Sequence, residues 1–246
     1  MPVPSPTLPG PARAAPASLP MDLRVYAVGD LHGCAAQLDL LHGAIGHDAL
    51  RAPQARKVIV YLGDYVDRGP DSRGVLARLL APAPPGCERI FLMGNHEAMM
   101  LAALAPGAPA ATIGFWLQNG GRQTLASYGA DAARPASWQG LIPPDQYAFL
   151  QALRTAWSAG GYLFAHAGIR PGIAPEAQTE EDLLWIREPF LSSDAPHEAV
   201  VVHGHTPEDN APVVRANRVG LDTGAVLGGP LSCGVFEGDR LGFLQT

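Results

Sequence analysis

One pattern recurs three times in the first hundred residues of this chain. A short apolar run ends in glycine, a residue able to bind a metal follows, and a helix-forming stretch comes next. Val25 to Val28 leads into Gly29-Asp30-Leu31-His32-Gly33. Val58 to Leu62 leads into Gly63-Asp64-Tyr65-Val66-Asp67-Arg68-Gly69, and Ile90 to Met93 into Gly94-Asn95-His96-Glu97. Apolar runs of this length bounded by turn residues read as buried strands. Ala35 to Ile45, Asp71 to Leu80 and Ala98 to Leu104 read as the helices between them. Strand–helix alternation predicts a parallel or mixed sheet, an α/β fold. Ligands in such sheets gather beyond the carboxyl ends of the strands, so the three loops should meet at one edge.

The central loop crowds Asp64, Asp67 and Arg68 together and closes on Gly69-Pro70. Metal cations and a phosphate would balance these charges: carboxylates hold the cations and the arginine holds the anion. Two later strands end in similar residues. Tyr162 to Ala165 runs into His166-Ala167-Gly168, and Val200 to Val202 into His203-Gly204-His205-Thr206-Pro207. Thr179 to Trp185 reads as a helix, followed shortly by Arg187. The strand ends therefore supply Asp30, His32, Asp64, Asn95, His166 and His205. A lone histidine after a strand is ordinarily a hydrogen-bonded loop residue. Six oxygen and imidazole ligands at successive strand ends, with no thiolate, point instead to manganese, iron or zinc in a two-metal site. Asp64, in the central loop, can bridge the two ions.

Composition narrows the partners. Only Lys57 among the 17 basic residues is a lysine, so phosphate recognition must use arginine, whose planar fork suits phosphate oxygens. A net charge of −6 advertises no nucleic-acid surface. Cys34, Cys87 and Cys233 are odd in number and lack paired spacing, which argues against a disulfide framework and fits a reducing cytoplasm. No apolar run is long enough to span a membrane, and the N-terminus lacks the pattern of a signal peptide. Residues 1–20, rich in Pro and Ala, read as a disordered leader before a domain over 21–246. Residues 105–160 are the least legible and read as short helices over the sheet. Val213-Val214, Arg218 to Leu221, Cys233 to Phe236 and Leu241 to Leu244 read as antiparallel strands closing a second sheet.

The motifs GDLHG (29–33), GDYVDRG (63–69), GNHE (94–97), HAG (166–168) and GHTP (204–207) resemble, in order, those of the metal-dependent serine/threonine protein phosphatases, of the calcineurin-like metallophosphoesterase superfamily. The similarity covers most of residues 21–246. WLQNGGRQTLASYG (116–129) and LDTGA (221–225) look like the bacterial branch, which also contains symmetrical diadenosine-tetraphosphate hydrolases. The resemblance implies two mixed β-sheets packed as a sandwich flanked by helices. It implies two divalent ions, manganese foremost, with iron or zinc as alternatives. Asp30, His32 and Asp64 would hold one ion; Asp64, Asn95, His166 and His205 would hold the other. His203 would stay outside the ligand set.

By the same resemblance His96 is the general acid, oriented by Asp67, and Arg68, Asn95 and Arg187 bind the phosphate. The family often has arginine before GNHE, where this chain has Met93; Arg122 and Arg170 are candidates to replace it. The implied reaction is phosphomonoester hydrolysis, foremost of phosphoserine and phosphothreonine, with a phosphoprotein or small phosphoester as substrate. Dinucleoside-polyphosphate hydrolysis is the second reading, and a non-catalytic phosphate-binding module the remote third. The dinucleoside hydrolases typically read GDLVARG and GNHD, so Asp67 and Glu97 favour the first.

Overall fold

The computed structural model describes residues 12–54, 56–133, 138 and 140–246. Eleven strands form two sheets among these residues. Strands β2 (Leu23–Val28), β3 (Arg56–Tyr61) and β4 (Cys87–Phe91) are parallel neighbours. Helices α1 (Ala35–Ala49) and α2 (Ser72–Leu80) connect them, and α3 (Asn95–Leu104) follows β4. The second sheet holds β5 (Ala156–Ala159), β6 (Tyr162–Ala165), β7 (Val200–His203), β9 (Arg218–Gly220) and β8 (Val213–Val214), in that order. Both sheets mix parallel and antiparallel pairs, as the motif resemblance implies.

Side-chain alternation along the strands explains the layers. In β2, Val25 and Ala27 face Val58, Val60, Phe164 and Val202 between the sheets. Tyr26 and Val28 point the other way, into a second core with Leu38, Leu41 and Leu79 of the helices. A third core forms beyond the second sheet, where Leu163, Ala165 and Val201 meet Leu183 and Ile186. A period of two thus serves two hydrophobic interfaces at once. Leu183 belongs to α7 (Glu180–Trp185), whose start is capped by the Thr179 hydroxyl accepting from the Asp182 N–H at 3.1 Å.

Three expectations are corrected here. The strands β10 (Ser232–Glu237) and β11 (Arg240–Gln245) form an antiparallel hairpin, but it joins the first sheet beside β2. The second sheet is closed by the antiparallel pair β8 and β9, as expected, but β9 runs parallel to β7. The third correction concerns the leader. Residues 1–11 lie outside the described residues, but 12–20 pack on the domain. Arg13 and Ala14 form strand β1 against β11, Leu19 is buried, and Tyr162 donates its hydroxyl to the Ala17 carbonyl at 2.7 Å. One buried leucine and a few backbone bonds suffice to order a Pro/Ala segment that has no periodicity of its own.

The stretch 105–160 does supply helices, namely α4 (Ala110–Trp116), α5 (Arg122–Ser127) and α6 (Pro144–Gln151). A five-residue segment, Leu117–Gly121, kinked at Gly120 where φ is 112°, joins α4 to α5. The same stretch also contributes β5, an edge strand hairpinned to β6.

Candidate metal centre

The loops after β2, β3, β4, β6 and β7 converge at the carboxyl ends of the parallel strands. The turns are tight enough to need unusual backbone angles. His32, Asp64, Asp67, Arg68 and His205 all have positive φ, between 40° and 69°. Such conformations cost about 1–3 kcal/mol each in non-glycine residues, so the surrounding bonds must hold them. Three N–H groups do so between the first two loops: Leu31 and His32 donate to the Asp64 carbonyl, and Gly33 donates to that of Tyr65. Gly94 can only be glycine, since a Cβ there would sit 2.1 Å from Asp64 Oδ1.

Asp64 is the hub. Its Oδ2 lies 3.3 Å from His32 Nε2, and its Oδ1 lies 3.3 Å from His166 Nε2. His166 Nε2 and His205 Nδ1 each stand 2.9 Å from Asn95 Oδ1. The far nitrogens of two imidazoles are tied to backbone carbonyls, His32 Nδ1 to Val66 at 2.8 Å and His166 Nδ1 to Leu62 at 2.9 Å. Donation to those carbonyls turns the Nε2 lone pairs inward, toward carboxylate and carboxamide oxygens. Acceptor then faces acceptor, and a cation resolves that arrangement. The residues present therefore fit divalent metal ions. In each of two sets, His32–Asp64–His96 and Asp64–His166–His205, the candidate ligand atoms lie within 4.8 Å of one another, and Asp64 is common to both.

Asp30 is buried at the same edge but stands outside both sets. Its carboxylate accepts the His205 N–H at 3.0 and 3.1 Å. Burial, then the charges of Asp222 and Asp64, push its carboxyl well above the usual range. Burial lowers His32 to about 3 and His205 to about 2, so both are neutral at physiological pH, as metal ligation requires.

His96 is held differently. Its Nδ1 donates to Asp67 Oδ2 at 2.8 Å, while its Nε2 has no hydrogen-bond partner and lies 3.9 Å from Asp64. Burial pulls the His96 pKa down, but Asp64 and Asp67 outweigh it and the pKa is raised. A protonated imidazole with a free Nε2–H can donate a proton. Asp67 is fully buried and gripped from a third direction by the stretch 116–124. Trp116 Nε1 donates to both its oxygens, and the Thr124 hydroxyl donates to Oδ1 at 2.6 Å.

Arg68 is exposed and reaches His32 Nε2 through Nη1 at 2.9 Å, over the first ligand set. Arg187 is exposed at the second, where its charge helps to lower His166 and His205. Of the replacements considered for the arginine missing at Met93, Arg170 is taken up by Asp182 at 2.6 Å, and Arg122 is exposed at the start of α5. His203 stays outside the ligand sets, with Nδ1 on the Gly204 carbonyl at 3.0 Å and Nε2 3.5 Å from Arg218. Burial raises the Cys34 thiol to about 11, so it is no nucleophile at neutral pH.

Sequence reasoning used Glu97 only to choose between substrates and passed over Asp222, and both acids do structural work at the site. Glu97 accepts four backbone N–H groups, from Asp64, Tyr65, Val66 and Gly94, and so staples the second loop to the third. Burial and the Asp64 charge push its carboxyl up to about 8, while the backbone donors from Gly94 and Val66 pull it back. Asp222 is buried against Asp30. Its LDTGA stretch was a visible signal, but Asp-Thr-Gly equally describes an ordinary turn. A hollow of about 450 Å³, bordered by α3 and α6, shares no lining residue with this cluster.

The family model of the calcineurin-like phosphoesterases matches residues 23–229. The chain belongs to that family. It is therefore a phosphoesterase, and a hydrolase of a family that uses divalent metals. It is 32% identical over 216 residues to serine/threonine-protein phosphatase 1 of Salmonella typhimurium, covering 85% of this chain and 89% of that one. It is 33% identical over 149 residues to a symmetrical bis(5'-nucleosyl)-tetraphosphatase of Ralstonia nicotianae, covering 59% of this chain and 42% of the relative. Among solved structures, one presented as a candidate diadenosine tetraphosphatase superposes with a TM-score of 0.62 at 27% identity, over 95% of this phosphoesterase and 98% of that chain. No helix among the described residues is long and apolar enough to cross a membrane.

Proposed function

We propose that this phosphoesterase hydrolyses phosphomonoesters, foremost phosphoserine and phosphothreonine in proteins. The single observation that carries the reading is the His96–Asp67 pair at 2.8 Å, an imidazole poised to protonate a poor leaving group. Asp30, His32 and Asp64 would hold one divalent ion, and Asp64, Asn95, His166 and His205 the other, with manganese the expected metal. Cations bound there supply Lewis acidity, making hydroxide available near neutral pH and offsetting charge on the phosphoryl oxygens.

The chain's own residues do the rest. Arg68 and Arg187 flank the two ligand sets and bind the phosphoryl oxygens, aided by the Asn95 carboxamide. His96 Nε2, buried and unpartnered, gives its proton to the departing alkoxide oxygen. Asp67, held by Trp116 and Thr124, keeps the imidazole oriented and favours its charged form. No covalent nucleophile is needed. Three free cysteines are consistent with a cytoplasmic setting.

The similarity to tetraphosphatases supports a second reading, hydrolysis of dinucleoside polyphosphates. Asp67 favours the first. A substrate with a phosphate leaving group has little need of an acid, whereas a serine alkoxide does. The test is the metal-loaded enzyme assayed side by side on a phosphopeptide panel and on diadenosine tetraphosphate. A kcat/KM at least tenfold higher on phosphopeptide is expected. A preference for the dinucleotide would overturn the protein-phosphatase reading.

A further inference from the structure

A groove of about 340 Å³ opens beside Arg68. One wall comes from the kinked segment 117–121 and the start of α5 and carries Gln118, Asn119 and Gln123; the other carries Val226 and Leu227. The two walls reach this position for separable reasons. The kinked segment is tied to the phosphate end, because Arg68 donates its N–H to the Gly120 carbonyl at 3.3 Å. Gly120 has φ of 112°, and a Cβ there would lie 2.5 Å from Arg68 N. The opposite wall is a short 3-10 turn, Ala225–Leu227, set between Gly224 and Gly228 in left-handed conformations. That turn leaves Leu227 75% exposed.

The lining has a chemistry that the mechanism does not use. The carboxamides of Gln118 and Gln123 make no hydrogen bond within the described protein, and both side chains are exposed. Asn119 donates to the Phe115 carbonyl at 2.8 Å and keeps its own carbonyl oxygen free. Carboxamides offer donors and acceptors together, which is what a peptide main chain presents in alternation. Among the described residues the only charge in the lining is Arg68. Within that lining a polyphosphate chain would meet no further cation, and a nucleobase would find no aromatic ring to stack on.

We infer that this groove is a subsite for the peptide flanking the phosphoresidue: Arg68 takes the phosphoryl group, the carboxamides bond the extended main chain, and Val226 with Leu227 receives a neighbouring apolar side chain. The inference rests on the protein-phosphatase reading and adds the specificity determinants to it. Phosphoserine next to leucine should be preferred over phosphoserine next to glycine or aspartate. The acidic neighbour gains nothing from a lining whose described residues hold no second cation.

The test uses the metal-loaded full chain, its Gln118→Ala/Gln123→Ala double variant and Leu227→Ala. These side chains are solvent-exposed, and melting temperature checks that folding is intact. kcat/KM is measured on phosphoserine peptides with Leu or Gly beside the phosphoresidue, on p-nitrophenyl phosphate and on diadenosine tetraphosphate. The ratio of phosphopeptide to p-nitrophenyl phosphate activity should fall about tenfold in the double variant, chiefly through KM, as expected for lost main-chain bonds. Leu227→Ala should erase the Leu-over-Gly preference of the parent. An unchanged ratio, with the parent active on phosphopeptides, would overturn the groove assignment and leave the phosphatase reading standing. A rise in KM confined to diadenosine tetraphosphate would give the groove to a nucleoside and overturn the inference. A parent inactive on every phosphopeptide would overturn both.

Discussion

Trp116 Nε1 donates to both carboxylate oxygens of Asp67, at 3.1 and 3.0 Å, from a helix that belongs to neither sheet. The indole thus braces the carboxylate that braces His96, and the motif at 63–69 depends on a residue some fifty positions away in the chain. Trp116→Phe keeps most of the volume but strips one donor from a buried acid, at a cost of about 1–3 kcal/mol in stability. Loss of activity should be larger for phosphoserine than for p-nitrophenyl phosphate. Equal losses on both substrates would mean that Trp116 acts by packing alone.

His96 itself can be separated from the metals through the leaving group. A serine alkoxide needs a proton in the transition state; a nitrophenolate leaves as a stable anion. His96→Ala should reduce kcat/KM on a phosphoserine peptide by roughly 10²–10³ and on p-nitrophenyl phosphate far less. Asp67→Asn should show the same bias more weakly. The measurement needs metal content checked in each variant. Parallel losses would assign His96 to binding instead of proton transfer.

Asp64 stands in both ligand sets, so Asp64→Asn should lower bound metal and abolish turnover. His203→Ala is the contrasting variant. It removes a fully buried ring that packs edge-on to Phe190, with centroids 5.1 Å apart, and lies against Arg218. A stability loss of about 2–4 kcal/mol with metal stoichiometry retained is expected. Elemental analysis of both purified proteins, with thermal melts, decides. Full metal occupancy in Asp64→Asn would refute the site.

Removing residues 1–20 should destabilise the protein, because β1 pairs with β11 and Leu19 is buried. Loss of the leucine alone removes roughly 2–4 kcal/mol. A chain starting at Met21 should melt about 5–10 °C lower, at 2–4 °C per kcal/mol for a domain of this size. Leu19→Ala should reproduce much of the shift. An unchanged melting temperature would show that the segment contributes nothing.

His42 on α1 gives a pH signature away from the metals. Its Nε2 is 2.7 Å from the Tyr61 hydroxyl, and burial lowers its pKa to about 4. The folded pKa lies below the unfolded one, about 6.5. Above that value the ring is neutral in both states. As pH falls from 6.5 toward 4 the unfolded chain takes up the proton and stability drops, by roughly 1–3 kcal/mol from this group. His42→Gln, which cannot titrate, should flatten that part of the stability profile. Denaturant melts at pH 7 and pH 4.5 measure it; an unaltered slope would contradict the assignment.

The sequence by itself determined which residue types suited to a metal stand at the strand ends, and with its motifs the family. Those features are local: four or five apolar residues make a buried strand, glycine permits the turn, and the next residue is delivered to the sheet edge. The three parallel strands, their helices and the meeting of Asp64, His166, Asn95 and His205 follow from that grammar. Which strands share a sheet was decided by tertiary structure. Nothing in the alternation of β10 and β11 distinguishes a place beside β2 from one beside β7; the choice depends on whose face they bury. The same holds for residues 12–20, where a single leucine finds a pocket that other segments build. The pairing of Trp116 and Thr124 with Asp67, and of Asp222 with Asp30, is likewise invisible to any window along the chain. Buried polar groups must find partners wherever the fold places them. Periodicity records which face of an element is apolar, and only the packed fold determines what that face, or a buried carboxylate behind it, meets.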